Sequence, residues 1–352
     1  MTPAEAADRL DRHFCEIVRW HFSQETGTPF WLDHAREAGW DPAAEVTGFA
    51  DIERFERFDG EWLKSVPHER WIPKAFEGRP FTIFETGGTT GSPKQRIGWE
   101  DYKLDYEEFS ATLDDAAFPP GSYWLMIGPT GPRRLRLAIE HLANFRGSSC
   151  YFVDLDPRWV KKLIAGGDTE QAAAYMRHVV DQAATILEQR SVSVLFTTPR
   201  LLEALGERLS IPAAGITGVF CGGTAMSPQV LRFLVEETLE GAVALVPTYG
   251  NTLMGLAAHK PDFAADDFSI TYHAPQPRAV LRVVDPDAGG VVDHDEWGRV
   301  ELTTLTRELF VPRFLERDEA LRRGPCEAFA WDGVGEVRPF RGEEEGIVEG
   351  VY

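Results

Sequence analysis

The sequence predicts an α/β protein, a largely parallel sheet flanked by helices, followed by a smaller β-rich part of antiparallel or barrel-like character. Three observations carry this expectation. Short β-rich runs alternate with helical patterns through the middle of the chain. The texture changes after about residue 270 to short strands joined by Gly and Asp turns. With 352 residues, 43% of them hydrophobic, the chain can bury a large core and more than one lobe.

Residues 1–80 read as a helical lead-in rich in Trp, Phe and charge, ending in "SVPHERWIPKAFEGRP", whose prolines break regular structure. The segment is expected to pack on a larger body. The α/β core is expected over 80–270. Its strands are "YWLMIG" (123–128), "SCYFVDL" (149–155), "VSVLFTT" (192–198), "ITGVFCGG" (216–223) and "VALVPTYG" (243–250). Between them, 169–190 and 227–240 carry apolar residues at three- and four-residue spacing, as amphipathic helices do. The β-rich part, 271–342, is read from "RAVLRVVD", "GRVELTTLT" and "GEVRPF", and 343–352 as a short tail in which "GEEEG" is a solvated acidic run.

Composition excludes several classes. Thirty-six Lys and Arg against 56 Asp and Glu give a formal charge of −20, so the surface as a whole repels nucleic acid and anionic membrane. The N-terminus is an amphipathic charged pattern without a signal core, and no run of about 18 apolar residues occurs, so neither export nor membrane spanning is expected. Cys15, Cys150, Cys221 and Cys326 are far apart and make no C-x-x-C pair. They read as reduced thiols of a cytoplasmic protein.

The most informative stretch is "FETGGTTGSPKQR", Phe84 to Arg96. Gly87, Gly88 and Gly91 let backbone amides turn inward, Thr86, Thr89, Thr90 and Ser92 add hydroxyls, and Lys94 adds a point charge. That chemistry suits a polyphosphate. The pattern is not a Walker A loop, because Pro93 precedes the lysine and Gln95 follows it, and G-x-G-x-x-G is absent here.

"TGGTTGSPK" resembles the phosphate loop of the adenylate-forming superfamily: acyl-CoA synthetases, peptide-synthetase adenylation domains and luciferases. Further segments resemble that family's signatures in the same order. They are "CGGTAMSP" (221–228), "PTYGNT" (247–252), "GRVELTTLT" with "PRFLERD" (312–318), and "WDGVGEVRPFRG" (331–342), with Arg341 near the place of a hinge arginine. The lead-in is similar to that of acyl-protein synthetases and phenylacetate–CoA ligases. The resemblance implies the large N-terminal domain of these enzymes and ATP-dependent activation of a carboxylic acid to an acyl-adenylate and pyrophosphate. Transfer to CoA or a carrier-protein thiol would follow.

The resemblance also implies roles. Thr86 to Ser92 and Lys94 would hold the β and γ phosphates, Thr252 the α-phosphate, and Gly222, Gly223, Thr224, Tyr249, Gly250 and Asn251 the adenine side. Asp318, five residues after Arg313, would bind the ribose. Lys94 and Thr252 are the candidate catalytic residues. Pro129, Thr130, Arg133, Arg134 and His141 are candidates for the acid pocket, with "GPTGPRR" equally readable as a solvated turn and His141, like His259, as structural. Tyr249 could instead be a core aromatic, and Cys221, which ends an apolar strand, reads as packed.

Three departures from the family pattern stand out. Leu253 occupies the position of the glutamate that holds magnesium, and a leucine cannot ligate a hard cation. Either another acid such as Glu85 serves with water and phosphate, or nucleotide binds with impaired chemistry. Arg317 replaces a glycine before Asp318. The small mobile domain with its catalytic lysine is expected to be absent, so Lys94 and the loop amides would carry the charge stabilisation, or a separate chain would supply that domain. Alternative readings are a nucleotide-binding regulatory module and an adenylating enzyme that uses an amine nucleophile. The identity of the acid is not encoded in any motif.

Overall fold

The computed structural model describes residues 1–86, 93–131, 134–223 and 225–340. Helix α1 (Pro3–Phe22) begins where local chemistry dictates. Thr2 accepts from the Glu5 amide, the Glu5 carboxylate accepts from the Thr2 amide, and Pro3 fills a position that needs no donor. Its buried stripe, including Leu10, Phe14, Ile17 and Val18, packs with the short helices α2 (Pro29–Ala38), α3 (Pro42–Glu45) and α4 (Trp62–Ser65). This lead-in is tied to a late strand through aromatic contacts: the Trp31 and Phe310 rings lie 5.2 Å apart, and the Trp31 indole donates to the Phe310 carbonyl.

Strands β1 (Thr82–Glu85) and β2 (Gln95–Gly98) form a separate antiparallel hairpin with Glu85 opposite Gln95. Helix α5 (Asp101–Ser110) follows. Its start is capped from afar, because the Glu308 carboxylate accepts the amides of Trp99, Glu100 and Asp101.

The parallel half of the main sheet then builds up in the sequence β3 (Tyr123–Gly128), α6 (Arg134–Phe145), β4 (Cys150–Asp154), α7 (Pro157–Ala165), α8 (Thr169–Gln189), β5 (Val192–Thr197), α9 (Pro199–Arg208), β6 (Gly218–Cys221), α10 (Pro228–Phe233) and β7 (Ala244–Asn251). These strands lie in the order β7-β6-β5-β3-β4. Trp124 to Ile127 are fully buried, as a strand covered on both faces requires. The α8 stripe of Val179, Val180, Ala183, Ala184 and Leu187 supplies part of that cover. The helix expected over 227–240 is α-helical through Phe233 and then widens into a π turn over Leu234–Thr238.

Antiparallel strands extend the same sheet: β8 (Gly255–His259), β9 (Thr271–His273), β10 (Ala279–Val284), β11 (Trp297–Leu305), β12 (Phe310–Arg323) and β13 (Gly333–Pro339). The full order is β10-β11-β12-β13-β9-β8-β7-β6-β5-β3-β4. The parallel α/β core and the later β-rich part expected from the sequence are therefore both present and share one sheet. No helix among the described residues is long and apolar enough to cross a membrane.

Candidate functional site

The carboxyl ends of β3, β5, β6 and β7 open onto one region, where parallel α/β sheets bind ligands. Two cavities lie there. The larger, about 260 Å³, is walled mainly by apolar groups from Pro129, Leu135, Ala138, Phe196 and Leu256, and reaches Glu85, Thr86, Gly222, Asn251 and Thr252. The smaller, about 170 Å³, is lined by Ala225, Met226, Tyr249, Tyr272 and Asp318 among others. Gly223, Thr248 and Gly250 border both, so the cavities share a wall.

Opposite strands are bridged across this cleft. The Tyr249 hydroxyl donates to Asp318 Oδ2 at 2.7 Å, and the Asn251 amide donates to the Glu316 carboxylate. Burial raises Asp318 above the usual carboxylate range, while burial and the neighbouring Asp318 charge push Glu316 up to about 7. Lys94 approaches the same strand, with its ammonium 4.6 Å from the Phe314 ring centroid, and burial lowers its pKa. Gly60 makes this path open, since a Cβ there would lie 2.3 Å from Lys94 Nζ.

The two ends of the glycine loop are latched together. Thr86 donates its amide to the Lys94 carbonyl at 3.0 Å, and the Thr86 hydroxyl accepts the Lys94 amide at 3.1 Å. Gly87, Gly88, Thr89, Thr90, Gly91 and Ser92 lie outside the described residues, as do Arg133, Thr224 and Arg341.

The segment after Tyr249 is held from two sides. Asn251 Oδ1 accepts the amides of Leu253 and Met254, both at 2.9 Å. The fully buried Arg96 donates to the carbonyls of Thr252 and Leu253, both at 2.8 Å, and to Asp101 at 2.7 Å. The Thr304 hydroxyl adds a second donor to the Leu253 carbonyl. The Leu253 side chain, 3% exposed, packs in the main hydrophobic core. Position 253 therefore does not fit a divalent cation, in chemistry or in surroundings. Glu85, the alternative acid, accepts from Arg158 at 2.7 Å and from Gln95 at 3.1 Å. Among the described residues, no group of three or more His, Cys, Asp and Glu is arranged to hold a metal ion.

The wall of the larger cavity also contains buried Arg134 and Tyr106. Arg134 and Arg278 both donate to Asp105 of α5, one to each carboxylate oxygen. None of Arg96, Asp105, Tyr106, Arg278 or Glu316 was singled out by sequence motif; Arg96 only closes the quoted loop stretch.

Other candidates sit elsewhere. His141 of α6 bonds Glu107 of α5 at 2.8 Å and lines neither cavity. Thr130 also lines neither, its amide and hydroxyl both bonding Asp154. His259 packs edge-on to Phe263. Cys221 is fully buried, and burial raises its thiol pKa. Arg313 pairs with Glu53 at 2.7 Å, and the Arg317 carbonyl accepts the Phe340 amide. Cys326 Sγ lies 3.9 Å from His273 Nε2, outside both cavities.

No protein-family model and no curated protein sequence matches the chain. Solved structures do. The structure of 2-hydroxyisobutyryl-CoA ligase with 2-HIB-AMP and CoA in the thioesterification state aligns with a TM-score of 0.69 at 16% identity, over 95% of this chain and 68% of the ligase. The same ligase in its post-adenylation state with 2-HIB-AMP gives 0.68 at 15% identity, over 97% and 69%. Its open conformation gives 0.66 at 15%, over 96% and 75%. At this identity the likeness is one of fold, and the fold implied by the sequence resemblance is the one the chain has.

Proposed function

We propose that the protein activates a small carboxylic acid with ATP, forming an acyl-adenylate and pyrophosphate. The observation that carries this reading is the pair of cavities with the common wall of Gly223, Thr248 and Gly250. One suits a small acid, while the other, with Tyr249 and Asp318, suits an adenosine. In this reading the reacting carboxylate meets the α-phosphate at the junction, beside Thr252 and Thr86.

A carboxylate oxygen attacks the α-phosphorus and the bond to the pyrophosphate oxygen breaks. No proton is transferred and no protein nucleophile is required, so the protein contributes positioning and charge stabilisation. Lys94 and the amides and hydroxyls of residues 86–92 take the β and γ phosphates, Thr252 the α-phosphate, and Asp318 the ribose hydroxyls. Gly222, Gly223, Thr224, Gly250 and Asn251 form the adenine side with Tyr249. Position 253 does not fit a metal, so charge stabilisation falls to Lys94 and the loop groups. The adenylate would then pass to the thiol of CoA or a carrier protein. The neighbouring ligase, solved with 2-HIB-AMP and CoA, supports this order of events.

Acid-dependent exchange of labelled pyrophosphate into ATP tests the reading. Lys94→Ala is expected to abolish exchange while the protein stays folded; unchanged exchange would remove Lys94 from this role. The buried Leu253 favours a second reading, a nucleotide-binding module that does no chemistry. ATP binding by calorimetry, with no AMP formed from any of a broad acid panel, would select it.

A further inference from the structure

Resting on the reading of the larger cavity as the acid site, we propose that the acid is a short monocarboxylic acid bearing an uncharged hydrogen-bond acceptor, a hydroxyl or keto oxygen. Tyr106 and Arg134 recognise that acceptor. The two residues come from neighbouring helices, α5 and α6, and both form part of a wall otherwise made of Leu135, Ala138, Phe196 and Leu256.

Tyr106 is 4% exposed, yet its hydroxyl has no hydrogen-bond partner among the described residues. A buried phenol ordinarily finds one. Arg134 is 5% exposed. Its Nη2 is spent on Asp105, while Nη1 has no partner among the described residues and Nε is buried without one. Gly255 lets the Arg134–Asp105 pair lie directly against the backbone here. At φ +99, its missing Cβ would fall 2.7 Å from Arg134 Nη1 and 2.2 Å from the Asp105 carboxylate. Two unpaired donors facing an apolar-walled cavity are selective once a ligand fills it, because an analogue that lacks the acceptor leaves them unpaired.

Charge decides between a neutral acceptor and a second carboxylate. Around α5, Arg96, Arg134 and Arg278 stand against Asp101, Asp105 and Glu308. With Glu108, which lies 4.0 Å from Arg278, the acids outnumber the arginines by one, so a second carboxylate would bring an uncompensated charge into a buried cavity, whereas a hydroxyl or keto oxygen adds none. Size sets the chain length. A cavity of about 260 Å³ is below the range of roughly 300–1,000 Å³ that holds drug-sized ligands.

The test is acid-dependent pyrophosphate release with matched acids: propanoate, lactate, pyruvate and malonate, and their four- to six-carbon homologues. The expected result is kcat/KM at least ~100-fold higher for a hydroxy or keto acid than for the unsubstituted acid of equal length. Tyr106→Phe, which removes a single oxygen, should cut that ratio to below ~10, and Arg134→Lys should also reduce it. If Arg134→Lys fails to fold by thermal unfolding, Tyr106→Phe decides. Preference for the unsubstituted acid or for malonate would overturn this proposal alone. So would a variant that slows all acids by one common factor, which would put these donors on the reacting carboxylate. No release with any acid would overturn the parent reading and this proposal together.

Discussion

The hydroxyl of Tyr249 donates a 2.7 Å hydrogen bond to Asp318 Oδ2, joining β7 to β12 although β8, β9 and β13 separate them in the sheet. The bond fixes the Asp318 side chain at the edge of the smaller cavity, where the proposed function places the ribose. Asp318→Asn is expected to weaken ATP binding by ~10- to 100-fold, the scale of hydrogen bonds to a charged group. It should also erase the preference for ATP over its dideoxyribose analogue. Calorimetry with both nucleotides measures this, and an undiminished preference would take Asp318 off the ribose.

Arg96 couples the exit of the glycine loop to the Thr252 segment through two 2.8 Å bonds to successive carbonyls. Arg96→Met breaks this clamp and strands Asp101 without its guanidinium, so an unfolding free energy lower by about 3 to 5 kcal/mol is expected in denaturant titrations. Arg96→Lys keeps the charge but not the fork, and should leave a folded protein whose kcat for pyrophosphate exchange falls more than its KM for ATP rises. An equal change in both parameters would make Arg96 structural only.

Leu253→Glu introduces the residue type that the sequence resemblance implies for a magnesium ligand, but puts it in the core. The expected outcome is destabilisation on the order of 3 kcal/mol with no magnesium-dependent rise in Tm. A variant as stable as the parent and further stabilised by magnesium would show that position 253 faces the nucleotide after all.

Glu316 supplies a pH signature. Its pKa is raised from 4.5 to about 7, so the folded state holds the proton more tightly than the unfolded chain. The stabilisation is complete below the unfolded value and is lost as pH rises through about 7. Glu316→Gln stays neutral throughout. Its Tm relative to the parent should therefore improve between about pH 5 and pH 8, and a difference independent of pH would contradict the assignment.

How much of this was legible beforehand follows from where the information resides. The five parallel strands announce themselves as apolar runs such as "YWLMIG", and the glycine loop as a dense set of small residues, because both are local patterns. The clamp on Thr252 is not local. Arg96 reaches 156 and 157 residues along the chain, Glu308 caps α5 from 207 residues beyond Asp101, and Arg278 reaches 173 residues back to Asp105. No periodicity marks such a residue. Glu316 was hidden for another reason: it lies within a recognised segment, "PRFLERD", at a position the motif leaves free. His141 stood near the expected acid pocket in sequence, but the turn of α6 carries it to Glu107 instead.

The proposed reaction turns on attack of a carboxylate on the α-phosphorus of ATP. It is tested most directly by incubating the protein with ATP and a carboxylic acid labelled with heavy oxygen in its carboxyl group, then weighing the released nucleotide. The expected product is AMP carrying one heavy oxygen once the adenylate is broken down by a thiol or amine nucleophile. Release of ADP with the label in orthophosphate, or AMP with no label from any acid that stimulates its formation, would contradict it.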